Sequence, residues 1–214
     1  ATAKYERYNY VQNSVLTQKA FVDTLWTQTN SLDVEGIAAP LTIIVGINYE
    51  INPNHYVGVK HTMSLSPGRN EESIITKSDV YANNEFFDRW VSVNNVKSDS
   101  EPKHRLNAYY NGTIGNLKID FNSDFYRSSQ FSEINESSQE FDDRIVKSSN
   151  RIENRLFATR LVLSYPLFGG NFSAGNEYTR THRNDDYMTD IDVIPSSNTS
   201  IHDQNNSFFA EYSR

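Results

Sequence analysis

The sequence predicts an all-β protein built as an antiparallel up-and-down meander of hairpins. Three observations support this prediction. The 214 residues include 13 Tyr, 12 Phe and 2 Trp although only 37% are hydrophobic, which is too aromatic for a disordered chain. Asn and Ser, at 24 each, outnumber the 11 Leu, a balance that favours turns and strands over helices. Apolar and polar residues alternate with a period of two in several segments separated by turn residues.

The first predicted hairpin joins residues 41–52 to residues 55–66 through Pro53-Asn54. Its first strand alternates almost perfectly, apart from Ile44. One face carries Leu41, Ile43, Val45, Ile47, Tyr49 and Ile51, and the other carries Thr42, Gly46, Asn48 and Glu50. One side of this hairpin is therefore expected to be dry.

Two further hairpins follow the same rule. The second joins 103–114 to 117–131 around Gly115-Asn116, and its return strand sets Ile119 and Phe121 against Lys118 and Asp120. The third joins 154–165 to 171–183 through residues 166–170, and a last strand begins near Asn205. Residues 1–40 are poorly assigned, with one strand predicted near 15–28.

Four polar segments connect these elements, at 29–40, 67–102, 132–153 and 184–202. We predict long loops there, alternating with the short turns. Outer-membrane barrels place short turns on one side and long loops on the other, whereas sandwiches mix the two kinds. Residues 72–81 and 86–97 form another extended pair, either a hairpin above the bilayer or two ordinary strands. Residues 1–214 are therefore predicted to be a single β-barrel segment.

Charge and composition exclude several classes of function. The net charge of -7 provides no basic surface for nucleic acid. The absence of Cys excludes disulfides, zinc-thiolate sites and a Cys nucleophile, and no apolar run is long enough for a transmembrane helix. The sequence opens at Ala1 without an initiator Met or signal peptide and stops within a strand-like pattern, so we expect a segment of a longer protein.

No motif indicates an enzyme, a metal or another cofactor. Phosphate-binding loops, nucleophile elbows and paired His-Glu motifs do not occur. His55 and His61, six residues apart on one strand, are separated by about 20 Å and cannot share an ion. The acidic residues of the last loop lack the Gly and closing Glu of a calcium loop, so a solvated acidic segment is expected; they are Asp185, Asp186, Asp190 and Asp192.

The alternation alone leaves two environments open for the apolar faces. A period of two shows only that one side is dry, and it fits either a protein core or lipid. The opposite face favours lipid, because residues such as Lys118, Asp120, Asn122 and Asp124 suit the wet wall of a lumen.

Several stretches share the strand and turn patterns of a known family. They are Tyr109–Asn122, Asn154–Leu161, Tyr165-Pro166-Leu167 with Gly169-Gly170, Gly175–Arg180 and Ala210–Arg214, and in order they span roughly residues 40–214. These stretches resemble the outer-membrane β-barrel family of Bacteroides-type bacteria, which is related to TonB-dependent receptors. The resemblance implies a large antiparallel barrel in the outer membrane, contacting its lipid. It also implies uptake of a nutrient ligand, a plug domain and an energy-transducing inner-membrane complex. No plug or coupling motif occurs in this sequence.

Exposed rings and acids in the long polar segments are the candidate ligand-binding residues. They are Phe86, Phe87, Trp90, Asp88, Asp185 and Tyr187. Burial of the rings inside loop hairpins is the simpler interpretation.

The alternative function is a secreted or surface β-sandwich that binds glycans or acts as an adhesin. We also expect the isolated segment to close into a small barrel or sandwich, or to self-associate through its edges.

Overall fold

The computed structural model describes residues 1–66, 70–138, 145–192 and 194–214. Its twelve antiparallel strands form one sheet, curled into a half-barrel. They are β1 (Thr2–Tyr5), β2 (Tyr8–Val22), β3 (Thr24–Ala38), β4 (Leu41–Asn52), β5 (His55–Leu65), β6 (Asn70–Ala82), β7 (Glu85–Ser100), β8 (Lys103–Ile114), β9 (Leu117–Ser138), β10 (Ile145–Leu167), β11 (Gly170–Thr189) and β12 (Ser197–Ser213). The predicted all-β meander is confirmed. Within the described ranges, no helix could cross a membrane.

Pairs of consecutive strands lie end to end. β8 pairs with the first half of β9 and β7 with its second half, so β7 and β8 follow one line across the sheet. β5 and β6 follow the next line, then β4 and β3, then β1 and β2. The twelve strands therefore trace eight long lines that run up and down in chain order.

The breaks within these four lines fall at one level of the sheet. Pro40 separates β3 from β4, and Pro102 separates β7 from β8, where a proline has no N–H to donate to the ladder. The backbone N–H of Glu101 donates to the carbonyl oxygen of Ser129 on β9 at 3.1 Å. β9 itself runs through this level without interruption.

The three predicted hairpins are confirmed, and their turns all lie at the same end of the strands. This end of the sheet is here called the near edge. The turns are Pro53-Asn54, Gly115-Asn116 and Phe168-Gly169. Turns at Asp23 and Asn83-Asn84 lie on the opposite, far edge. The positive φ values of Asn83 (49°) and Asn84 (68°) are those of a type I′ hairpin turn.

The predicted polar loops differ from the structure. β3 covers most of 29–40, and β6 and β7 occupy most of 67–102, including the predicted extended pair. β9 to β12 extend well into 132–153 and 184–202; residues 67–69, 139–144 and 193 lie outside the described residues. These parts of the strands carry polar residues on both faces, so apolar and polar residues do not alternate along the sequence there. The neighbouring strands still provide hydrogen-bond partners for their backbone groups.

The sheet has almost no conventional core. Val34, Val146 and Ile191 are the buried hydrophobic side chains of the described residues, whereas Ile47 is 69% exposed and Phe208 77%. The predicted closure of the isolated segment into a small barrel or sandwich is not seen, because the described strands form one open, curled sheet. The sandwich alternative requires two packed sheets and is not the observed architecture.

Candidate functional site

One face of the sheet carries an apolar band along the near edge. Directly paired residues point to the same face, and the pairing Ile47 to Val59 to Ala108 shows how the band crosses strands. Its members lie on β4, β5 and β8 to β12: Val45, Ile47, Tyr49, Val57, Val59, Leu106, Ala108, Tyr110, Ile119, Phe121, Phe125, Phe157, Leu161, Leu163, Tyr165, Phe172, Tyr178, Phe208 and Tyr212. We call this set the apolar band.

The length of the apolar band matches the length of a transmembrane β-strand. On β10 it runs from Phe157 to Tyr165, which is nine residues. A tilted strand needs about 9–11 residues to cross the hydrocarbon core of a membrane. Many of its side chains are exposed, as expected of a surface that meets lipid rather than a protein core.

The opposite face of the same strands is polar. The amide of Asn107 donates to Asn122 Oδ1 at 3.0 Å and to Asp124 Oδ1 at 2.9 Å. Arg160 forms an ion pair of 3.0 Å with Glu177. Tyr109 packs over Gly58, where a Cβ would collide with the tyrosine ring. Hydrogen-bonded polar side chains backed by an apolar face are typical of the interior wall of a water-filled barrel.

At the far edge, the β6–β7 hairpin gathers aromatic side chains. Its pairing shifts between Val80 and Tyr81, so that Val80 opposes Asp88, Tyr81 opposes Phe86 and Phe87 is the extra residue. This bulge brings Phe87 against Trp26 of β3 in a T-shaped contact, with ring centroids 5.1 Å apart.

An open groove lies beside this contact. Its volume is about 380 Å³, and its lining includes Trp26, Gln28, Phe87, Asp88 and Trp90. Trp90 is 40% exposed and Phe87 63%, so both rings are accessible to a ligand. The lining also includes Gln18 and Lys19. Aromatic faces beside a carboxylate and side-chain amides are suited to a sugar or another ring-containing polar ligand. We call this site the aromatic groove.

A hydrogen-bonded polar cluster supports the aromatic groove. Gln28 Nε2 donates to Asn30 Oδ1 and to Ser78 Oγ, both at 3.0 Å, and the Ser78 hydroxyl donates to Asn30. Ser78 is only 2% exposed and lies directly opposite Trp90 in the β6–β7 pairing. The cluster joins β3 to β6 beneath the aromatic side chains and fixes the orientation of Gln28.

The other face of the hairpin carries an ion pair. Arg89 Nε and Nη2 both donate hydrogen bonds to the carboxylate of Asp79, and Nη2 lies 3.0 Å from Oδ2. The hydrogen bond from Arg89 lowers the pKa of Asp79 below its ordinary value. The Arg89 guanidinium also lies 5.7 Å from the centre of the Phe86 ring. These contacts hold β6 and β7 together next to the aromatic groove.

The structure brings three of the six predicted ligand-binding residues together. Phe87, Asp88 and Trp90 line the aromatic groove. Phe86 lies on the other face of the hairpin, where its ring packs on Tyr81 with centroids 5.9 Å apart. Burial inside the hairpin, the simpler interpretation, does not hold for Phe86 and Phe87, because both are more than half exposed.

Asp185 and Tyr187 lie elsewhere, on β11. β9 and β10 separate this strand from β7. Through the pairings, Tyr187 is level with Ser98, eight residues or about 26 Å along the line from Trp90. Asp185 accepts from Arg183 Nε at 2.9 Å. Neither residue contributes to the aromatic groove.

Trp26 and Gln28 belong to the aromatic groove but were not predicted from the sequence. They lie about 60 residues before Phe87 and Asp88 in the chain. Only the pairing of β3 with β6 brings them together. The one available signal was the presence of a second Trp within a strand-like segment.

Four of the five histidines form two cross-strand pairs that the sequence did not reveal. His61 Nε2 and His104 Nδ1 are 3.1 Å apart, and the Nδ1 atoms of His182 and His202 are 2.9 Å apart. No group of three or more His, Cys, Asp or Glu side chains able to hold a metal ion occurs in the part of the chain that the structure describes. In the acidic segment, Asp190 accepts from the backbone N–H of Lys147 at 2.9 Å.

No protein-family model and no curated protein matches the chain. Among solved structures, the chain is similar to the ferric yersiniabactin uptake receptor FyuA from Yersinia pestis, with 9% sequence identity and a TM-score of 0.36. The match covers 98% of this chain and 42% of the receptor, so the chain spans less than half of the receptor's length. A similarity this low identifies no family for the chain.

Proposed function

We propose that the chain forms part of an outer-membrane β-barrel, with its apolar band against lipid and its polar face lining a wet interior. The observation that carries this proposal is the apolar band, which spans nine residues on β10 and is exposed, backed by hydrogen-bonded polar side chains on the same strands. A soluble protein that left such a surface uncovered would aggregate.

We further propose that the barrel takes up a nutrient, as TonB-dependent receptors do. The aromatic groove lies at the opposite end of the strands from the near-edge turns, where it would meet a ligand outside the cell. Trp90 is 16 residues from Leu106 of the apolar band, about 50 Å along the line of β7 and β8. Uptake against a gradient would need the plug region and the inner-membrane complex that the sequence resemblance implies.

Site-specific labelling tests the orientation of the two faces. The sequence contains no Cys, so each variant adds one thiol to this region. Val59→Cys and Ala108→Cys carry an environment-sensitive fluorophore on the apolar band, and their chain neighbours Lys60→Cys and Asn107→Cys carry it on the polar face. The full-length protein is reconstituted in vesicles of phosphatidylcholine with or without brominated acyl chains.

Brominated lipid should quench the fluorophore strongly at positions 59 and 108 and weakly at positions 60 and 107. A soluble surface protein would show equal, weak quenching at all four positions and would need no detergent for extraction. Either of those results would refute the membrane proposal.

A further inference from the structure

A row of basic side chains borders the apolar band on its far side. Arg127 of β9 lies directly opposite Arg155 of β10, Arg155 opposite His182 of β11, and His182 opposite His202 of β12. Arg180 lies on the same face, opposite Phe157 in the last row of the apolar band. We call Arg127, Arg155 and Arg180 the basic row.

The protein neutralises the basic row only in part. Like charges placed directly opposite each other in a sheet repel, and Arg127 and Arg155 are such a pair. Among the residues that the structure describes, the one carboxylate within ion-pair distance is Glu101, 3.7 Å from Arg127, and both of these side chains are more than half exposed. Within the described ranges, Arg155 and Arg180 form no ion pair. Glu153 lies one row farther from the apolar band, opposite Ser129.

The position of the basic row specifies the ligand that would neutralise it. Arg155 is two residues from Phe157, on the same face of β10. A lipid whose acyl chains pack on Phe125 and Phe157 would therefore place its headgroup beside the guanidinium groups. Arginine binds phosphate oxygens through paired, charge-assisted hydrogen bonds. The near margin of the band carries Tyr165, Phe172 and Tyr212 instead, so the two margins differ chemically.

We propose that Arg127, Arg155 and Arg180 bind the phosphate of a phosphorylated lipid headgroup in the leaflet on the far-edge side of the apolar band. This inference rests on the proposed function, because it requires the apolar band to face acyl chains. It adds a specific lipid contact and an orientation of the chain in the membrane.

Native mass spectrometry tests the lipid contact on the full-length protein in an uncharged detergent. The probes are phosphatidic acid and diacylglycerol with the same acyl chains, which differ only in the phosphate. The test variant combines Arg127→Gln, Arg155→Gln and Arg180→Gln. The control variant combines Lys60→Gln, Arg105→Gln and Lys118→Gln, which removes the same charge from the polar face.

The unmodified protein and the control should retain phosphatidic acid over diacylglycerol, and the test variant should retain phosphatidic acid at least about tenfold more weakly. Equal retention by the test variant would overturn the proposal, as would equal loss by the control. Competition by inorganic phosphate at the concentration of the lipid would assign the row to free phosphate and would also overturn it.

The quenching experiment separates this proposal from the membrane assignment. If positions 59 and 108 are quenched and positions 60 and 107 are not, the band faces lipid whatever the test variant does. Loss of that alternation in the labelled variants, which keep the basic row intact, would refute the proposed function itself.

Discussion

Leu161→Arg places a charge at the centre of the apolar band. Leu161 lies four residues from Phe157 and four from Tyr165, the two margins of the band on β10, or about 13 Å from each. Its chain neighbour Val162 points to the polar face, opposite Asp120 and Gly175. Val162→Arg therefore introduces the same charge one residue away, on the other side of the sheet.

The magnitude expected for Leu161→Arg depends on which medium covers the band. In lipid, an arginine at the midplane of a transmembrane barrel costs about 2–4 kcal/mol, and near the interface about 0–1 kcal/mol. In water, Leu161 is already 37% exposed, and surface substitutions usually change stability by about 0.5 kcal/mol or less. Val162→Arg should fall in that small range in both cases, because it faces water.

Denaturant unfolding of the full-length protein in phosphatidylcholine vesicles, followed by tryptophan fluorescence, measures the free energies of unfolding. Phe157→Arg, at the margin, completes the series and should cost less than Leu161→Arg. Equal, small effects for Leu161→Arg and Val162→Arg would refute the assignment of the apolar band to lipid. So would a larger cost at position 157 than at position 161.

Three further predictions concern the far edge. Phe87→Ala should lower the free energy of local opening around Trp26 by about 0.5–1.5 kcal/mol, seen as faster hydrogen exchange there; unchanged exchange would contradict the ring contact. The hydrogen bond from Arg89 lowers the pKa of Asp79. The stability that this ion pair contributes should therefore be complete above the ordinary pKa of a free Asp and be lost as the pH falls through the lowered pKa. Asp79→Asn should abolish this dependence of local stability on acid pH, measured by hydrogen exchange of β6 and β7. An unchanged pH profile in the variant would contradict the role of the Asp79–Arg89 pair. Asn84→Ala, at a φ of 68°, should cost about 1–2 kcal/mol in thermal unfolding, whereas Asn84→Gly should cost much less.

The hairpins at the near edge were predictable because their signals are local. Pro53-Asn54 and Gly115-Asn116 interrupt segments in which apolar and polar residues alternate, and a one-residue shift in register would move each apolar set to the other face. The strand segments toward the far edge lack that contrast. β6, for example, reads Asn-Glu-Glu-Ser at its start, and its backbone pairing rather than its side chains makes it a strand.

The aromatic groove was half predictable for a related reason. Phe87, Asp88 and Trp90 are close in sequence, so any structure of the β6–β7 hairpin keeps them close in space. Trp26 joins them through pairings between distant parts of the chain, and the same pairings separate Tyr187 from them. Apart from the presence of a Trp in a strand-like segment, the sequence contains no local signal for either outcome.

The level at which four of the eight lines are interrupted makes the sheet mechanically uneven. On the side of β1 to β8, prolines at positions 40 and 102 remove backbone donors, so few hydrogen bonds resist bending there. On the side of β9 to β12, the ladders of β9, β10 and β11 cross the same level intact. We therefore expect thermal bending to be concentrated on the side of β1 to β8, with larger motion at the strand ends that carry Trp26 and Trp90 than in the part of the sheet next to the near edge.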